Sequence, residues 1–111
     1  MTIEETLASL VDRFNRKAEQ NPALAEELDG VARTIRVRLT DGSSYAVDLA
    51  QGRLRNLRTA ENGTADLTIT TDTATFHALV AKEIGPMKAI VTRKLKIEGS
   101  LEDQLRFRKL L

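Results

Sequence analysis

The chain has 111 residues, a formal net charge of +1 and no cysteine, which suits one hydrophobic core and excludes disulfides, zinc–thiolate sites and thiol nucleophiles. Seventeen basic residues against sixteen acidic ones leave no global field to draw in nucleic acid or an anionic bilayer. Of the 41% apolar residues only Phe14, Tyr45, Phe76 and Phe107 are aromatic, so the interior must be built mainly from Leu, Ile, Val and Ala. A single domain over 1–111 is expected. The stretch 1–5 is acidic with no apolar run, and no apolar run reaches membrane-spanning length, so a cytoplasmic protein is the expectation.

Thr2-Ile3-Glu4-Glu5 has capping-box spacing and opens a helix. Ile3, Leu7, Leu10, Val11, Phe14 and Ala18 then recur on one helical face, with Glu4, Glu5, Asp12, Arg13, Arg16 and Lys17 elsewhere around it. Asn21-Pro22 caps a second, short helical turn carrying Leu24 and Leu28, and Asp29-Gly30 stops it. From there the period changes to two. Ile35, Val37 and Leu39 alternate with polar residues in a first strand, Asp41-Gly42 turns it, and Tyr45, Val47 and Leu49 form a second strand that pairs back as a hairpin. After Gln51-Gly52, residues 53–58 read as an Arg-rich, poorly patterned third strand suited to a sheet edge. Asn62-Gly63 marks the strongest turn of the next stretch, and Ala65, Leu67 and Ile69 predict a fourth strand. Asp72 or Thr71 caps a helix whose face carries Phe76, Leu79, Val80 and Ile84, ended by Gly85-Pro86; Met87, Ile90 and Val91 suggest one further turn. Leu95 and Ile97 give a fifth strand before Gly99, and Ser100 with Asp103 opens a last helix. There Leu101, Leu105, Phe107, Leu110 and Leu111 form no single stripe, as in a helix that plugs a groove or meets a partner. The fold class is α+β: a sheet covered on one face by helices.

Little in this pattern carries reaction chemistry. His77 is the only histidine, which excludes an ordinary His/Cys zinc site, and it falls at the border of an apolar stripe as a boundary residue. Arg36, Arg38, Asp48 and Asp66 are read as cross-strand ion pairs worth about 0.2–1 kcal/mol each. The arginines 33, 36, 38, 53, 55 and 58 make a solvated basic bias; lipid phosphates are the competing reading, and nucleic acid is excluded because stacking aromatics are missing. No phosphate loop, buried acid–base carboxylate pair or nucleophile elbow is visible, so neither catalysis nor a cofactor is expected. The apolar side of the strands faces the stripes of the helices. A close-packed core and a core completed by a guest bury apolar area equally well, so this pattern leaves both open.

Several strings in this order resemble the SCP2-like sterol and lipid-binding domain family: Asp41-Gly42 with Tyr45-Ala46-Val47-Asp48-Leu49 and Gly52, then Ala65-Asp66-Leu67-Thr68-Ile69, then Lys94-Leu95-Lys96-Ile97-Glu98-Gly99-Ser100-Leu101. The resemblance spans nearly the whole chain. It implies a five-stranded, mostly antiparallel sheet of order 3-2-1-4-5, first and fourth strands parallel, with an apolar tunnel under the helices. It implies non-enzymatic binding and transfer of fatty acids, acyl-CoAs and sterol- or isoprenoid-like molecules. The expected lining is Phe14, Val37, Leu39, Tyr45, Val47, Leu67 and Ile69, together with Phe76, Leu79, Val80, Met87, Ile90 and Leu105, Met87 serving either as an adaptable gate beside Gly85-Pro86 or as a gap filler. The implied partners are a lipid, a membrane met transiently, and a second copy or an enzyme docked on the C-terminal helix. In that last arrangement the chain is an accessory subunit that presents a hydrophobic intermediate, with Phe107, Leu110 and Leu111 facing the partner. The end, Arg108-Lys109-Leu110-Leu111, departs from the peroxisomal tripeptide address of better-known relatives.

Overall fold

The computed structural model describes residues 2–61 and 63–110, with side chains to 106. Helix α1 (Ile3–Gln20) starts in a full capping box, the Thr2 hydroxyl accepting from the Glu5 amide while the Glu5 carboxylate accepts from the Thr2 amide. Helix α2 (Pro22–Glu27) is capped by Asn21, whose side chain accepts from the amides of Ala23 and Leu24. Strands β1 (Arg33–Leu39), β2 (Ser44–Ala50), β3 (Arg53–Thr59) and β4 (Leu67–Thr71) follow, then α3 (Thr73–Val80), α4 (Pro86–Val91), β5 (Leu95–Gly99) and α5 (Leu101–Leu110). The Asn62 end of the expected Asn62-Gly63 turn lies outside the described residues.

The five strands form one sheet of order β3-β2-β1-β4-β5, with β1 and β4 parallel and every other pair antiparallel. The Arg-rich β3 occupies an edge, as its charge predicts. That edge is covered as well: the Asn15 side chain of α1 donates to the Leu54 carbonyl at 2.9 Å and accepts from the Leu54 amide at 2.8 Å, meeting the strand as a neighbouring strand would.

β3 looked poorly patterned because it contains a bulge. The β2–β3 register shifts between Ala46 and Asp48, Asn56 adopts φ +59°, and the extra residue turns both Leu54 and Leu57 toward the helices despite their spacing of three. Two other boundaries differ from the sequence reading. β4 begins at Leu67, and the Asp66 amide just before it bonds the Thr34 carbonyl of β1. α3 ends at Val80, leaving Ile84 beyond it: Lys82 takes φ +61°, its amide bonds the Leu79 carbonyl, and the Glu83 amide bonds that of Ala78 at 2.8 Å, a Schellman stop with lysine where glycine is usual. Gly99 does need to be glycine. Its φ is +152° and a Cβ there would stand 2.8 Å from the Asp66 carbonyl oxygen.

The buried core runs through Ile35, Val37, Leu39, Tyr45, Val47, Leu49, Leu67, Ile69 and Leu95 of the sheet and Phe76, Val80 and Ala89 of the helices. No described helix is long and apolar enough to cross a membrane.

Candidate functional site

Helix α1 packs Leu7 and Ala18 into the core and is tied to the rest of the fold by polar side chains around its perimeter. The Tyr45 hydroxyl donates to the Glu4 carboxylate at 2.7 Å, Thr6 Oγ1 lies 2.8 Å from His77 Nδ1 of α3, Arg13 donates to the Val80 carbonyl at 2.8 Å, and Asn15 holds β3. Inside that perimeter the apolar faces do not close. Leu10, Val11 and Phe14 on the underside of α1 are only half-buried, whereas Ile35, Val37, Val47, Leu49 and Ile69 opposite them are buried.

Between the two layers lies a cavity of about 370 Å³, within the size range of small-molecule sites. Its roof is Leu7, Leu10, Val11 and Phe14, its floor Ile35, Val37, Val47, Leu49 and Ile69, and its sides include Leu54, Leu57, Phe76, Leu79, Val80 and Leu95. Tyr45 also lines it, and Ile84, Gly85 and Pro86 border it near exposed Arg13, Lys17 and Lys82. No histidine, carboxylate, serine or threonine of the described residues is in the lining.

Of the residues singled out from sequence, Phe14, Val37, Tyr45, Val47, Ile69, Phe76, Leu79 and Val80 come together around this cavity. Leu39 and Leu67, at opposite ends of the parallel β1–β4 pair, are buried in the core outside the lining, while Ile35, Val37 and Ile69 between them line it. Met87, at 53% exposure, points to solvent from α4, and Ile90 packs against the core beside it. Leu105 is 52% exposed on α5. That helix is held to β1 by Arg33, whose Nε donates to both Asp103 oxygens at 3.0 Å, and within the helix Arg106 donates to the same carboxylate at 2.6 Å. Phe107, Leu110 and Leu111 lie outside the described side chains. Leu54 and Leu57 were missed because the bulge broke their alternation; Leu7, Leu10 and Val11 carried a signal in the α1 stripe. Arg13, Lys17 and Lys82 carried none, since a rim lysine and a solvated lysine look alike in sequence.

Two further sequence readings find their places. His77 bridges α3 to α1 through Thr6, away from the cavity lining. The ion pairs expected among Arg36, Arg38, Asp48 and Asp66 are not the ones formed: Asp48, on the open side of the sheet, is bonded to Asn56 at 3.1 Å and Arg58 at 3.2 Å, Asp66 accepts from the Thr34 amide, and Arg36 donates to the Glu61 carbonyl. Asp48 is held below its usual range, first by Asn56 and then by Arg58. At the cavity's Tyr45 end, that hydroxyl holds the Glu4 carboxyl below its ordinary value, and the same bond followed by burial raises the Tyr45 phenol. Among the described residues no three His, Cys, Asp or Glu side chains are grouped to hold a metal ion.

Comparison with known proteins places this architecture. Residues 11–111 match the SCP-2 sterol transfer family. No curated protein sequence matches the chain. Among solved structures, a double mutant of the sec-alkyl sulfatase PisA1 from Pseudomonas sp. is similar at TM-score 0.75 and 21% identity; the match covers 100% of this chain and 16% of the sulfatase chain, so the chain spans only a small part of that enzyme's length. The palmitated SCP2L2 of Aedes aegypti gives TM-score 0.65 at 16% identity, covering 99% of this chain and 94% of the other. The ubiquinone synthesis protein UbiJ-SCP2 gives TM-score 0.66 at 16% identity, covering 99% and 92%. At such identities the likeness is one of fold, and the family match over most of the chain carries the assignment: the chain belongs to the SCP-2 sterol transfer family.

Proposed function

We propose that the chain is a non-enzymatic lipid carrier that takes the apolar part of one lipid molecule into the cavity beneath α1 and releases it to a membrane or a partner. The observation that carries this reading is the unfilled space between the half-buried Leu10, Val11 and Phe14 of α1 and the buried Ile35, Val37, Val47, Leu49 and Ile69 of the sheet, lined mostly by aliphatic and aromatic side chains. Water gains nothing there and hydrocarbon does: each methylene transferred contributes about 0.8 kcal/mol, so several suffice for useful affinity without directed hydrogen bonds. Such a site discriminates weakly between chains, which fits fatty acids, acyl-CoAs and isoprenoid-like molecules alike. The lining has no acid–base pair, and its one hydroxyl, on Tyr45, is committed to Glu4. A relative of the same fold is described in a palmitated form.

Native mass spectrometry of gently purified protein, followed by organic extraction, tests this reading. The expected result is a protein carrying roughly one lipid per chain. A ligand-free protein whose melting temperature is unmoved by fatty acids, acyl-CoAs and isoprenoids contradicts it.

A second reading is favoured by the similarity to a ubiquinone synthesis protein and by Leu101 and Leu105, exposed on α5. There the chain presents a hydrophobic intermediate to a biosynthetic enzyme through that helix. Capture of an enzyme partner that is lost on Leu101→Glu and Leu105→Glu, with lipid binding intact, distinguishes it from free transfer.

A further inference from the structure

An aliphatic cavity by itself gives its guest no direction, and this one has chemically different ends. The only charged side chains in its described lining are Arg13, Lys17 and Lys82, all cationic and all exposed at the opening. They are brought together by the fold. Arg13 and Lys17 stand one turn apart on α1, and the bond from Arg13 to the Val80 carbonyl at 2.8 Å joins α1 to the end of α3, two positions before Lys82. Elsewhere on the same helix charges are paired, Arg16 with Asp12 at 3.8 Å and Glu19 with Arg53 at 2.6 Å, whereas among the described residues Lys17 and Lys82 have no ion-pair partner. At the other end the Tyr45 hydroxyl is bonded to the Glu4 carboxylate. Glu4 lies nine positions before Arg13 on α1, about 14 Å along the helix axis at 1.5 Å per residue.

Resting on the carrier reading above, we propose that the cavity admits its lipid in one orientation, as a single-chain amphiphile with an anionic head group held at the opening by Arg13, Lys17 and Lys82 and its tail directed toward Tyr45. A carboxylate or phosphate monoester in that position keeps water on one side, so its charge avoids the cost of full burial while three cations attract it. The reverse orientation sets an anion against the Glu4 carboxylate that accepts from Tyr45, and their like charges repel. A neutral alcohol or sterol fills the same space and draws nothing from the cationic rim. This chain is therefore selective by head group although it is tolerant of tails.

The test compares laurate, dodecyl phosphate and dodecanol, which share one tail, by displacement of a fluorescent fatty acid from the intact chain and from a variant carrying Lys17→Glu and Lys82→Glu. Arg13 is left in place because it ties α1 to α3, and the melting temperature of the variant reports its folding. The expected result is that both anions bind the variant about tenfold more weakly than the unaltered chain, as two modest exposed ion pairs reversed in sign require, while dodecanol changes by less than about twofold. Added salt should weaken the two anions and leave the alcohol unmoved. Anions that bind both proteins as tightly as dodecanol does, without salt dependence, overturn the head-group assignment and leave the carrier reading standing. Failure of all three ligands to bind either protein overturns the carrier reading, and the head-group assignment with it.

Discussion

The sheet side and the helix side of the cavity are built from the same kinds of side chain and yet end in different states. Val37, Val47, Leu49 and Ile69 retain 4–7% of their exposure, because each is flanked by strand neighbours as well as covered from above. Leu10, Val11 and Phe14 on α1 stay half-buried, on a helix whose Glu4, Thr6, Arg13 and Asn15 are hydrogen-bonded to Tyr45, His77, Val80 and Leu54 around the cavity. A rigid floor and a suspended roof follow from the same sequence chemistry under two different modes of attachment. Stability should therefore reside in the floor and ligand response in the roof.

Ile69→Ala breaks the floor and should cost about 2–5 kcal/mol by denaturant titration, the range for a buried aliphatic truncation. Leu10→Ala on the roof should cost about 1 kcal/mol or less, since the cavity beside it is already present; equal losses would erase the distinction. Gly99→Ala strains the floor's outer border, where a Cβ meets the Asp66 carbonyl, and should cost about 1–3 kcal/mol by the same measurement. Asn15→Ala releases the roof from β3 by removing two hydrogen bonds. Its expected cost is about 1–2 kcal/mol, with amides of β3 and α1 exchanging faster while those of β1 and β4 hold their protection.

The smallest effect is on acid stability. Glu4, Glu5, Asp41, Asp48 and Asp72 are all held below their ordinary values of 4.5 for the glutamates and 3.8 for the aspartates, first by bonds from Tyr45, Thr2, Thr73, Asn56 and Thr75 respectively. Only the ionised carboxylate accepts these bonds fully. Their contribution is thus complete above the ordinary values and is lost as pH falls through the lower folded-state ones. The melting temperature should be level above about pH 5 and decline below about pH 4, and Tyr45→Phe should lower it at neutral pH and shrink the Glu4 part of that decline, because the folded and unfolded values of Glu4 then lie closer together.

Much of the fold was legible because the local signals agreed with one another. The Thr2–Glu5 box, the strict alternation through Ile35–Val37–Leu39 and Tyr45–Val47–Leu49, and the charge on β3 each point to the element found there. β3 itself was illegible as a packed strand, since the left-handed Asn56 inserts a residue that no alternation rule anticipates. The cavity was illegible for a different reason: side chains that touch one another and side chains that face a space have the same hydropathy. Hence only the family resemblance assigns Phe14, Val37 and Ile69 to the lining, and it assigns Met87, Ile90 and Leu105 there too, although α4 and α5 carry these elsewhere. The cationic rim depends on tertiary contact between α1 and the end of α3, which joins residues almost seventy positions apart in the chain.

The account's central claim is that a lipid chain occupies the space between α1 and the sheet. Methyl-resolved NMR with a filtered nuclear Overhauser experiment on the laurate-loaded protein tests it most directly. The account predicts contacts from the laurate methylenes to Leu10, Val11, Val37, Ile69 and Leu79, and none to Leu39 or Leu67. Laurate contacts confined to the open face of the sheet or to α5, with the methyl groups of Leu10 and Ile69 touching each other instead, would contradict it.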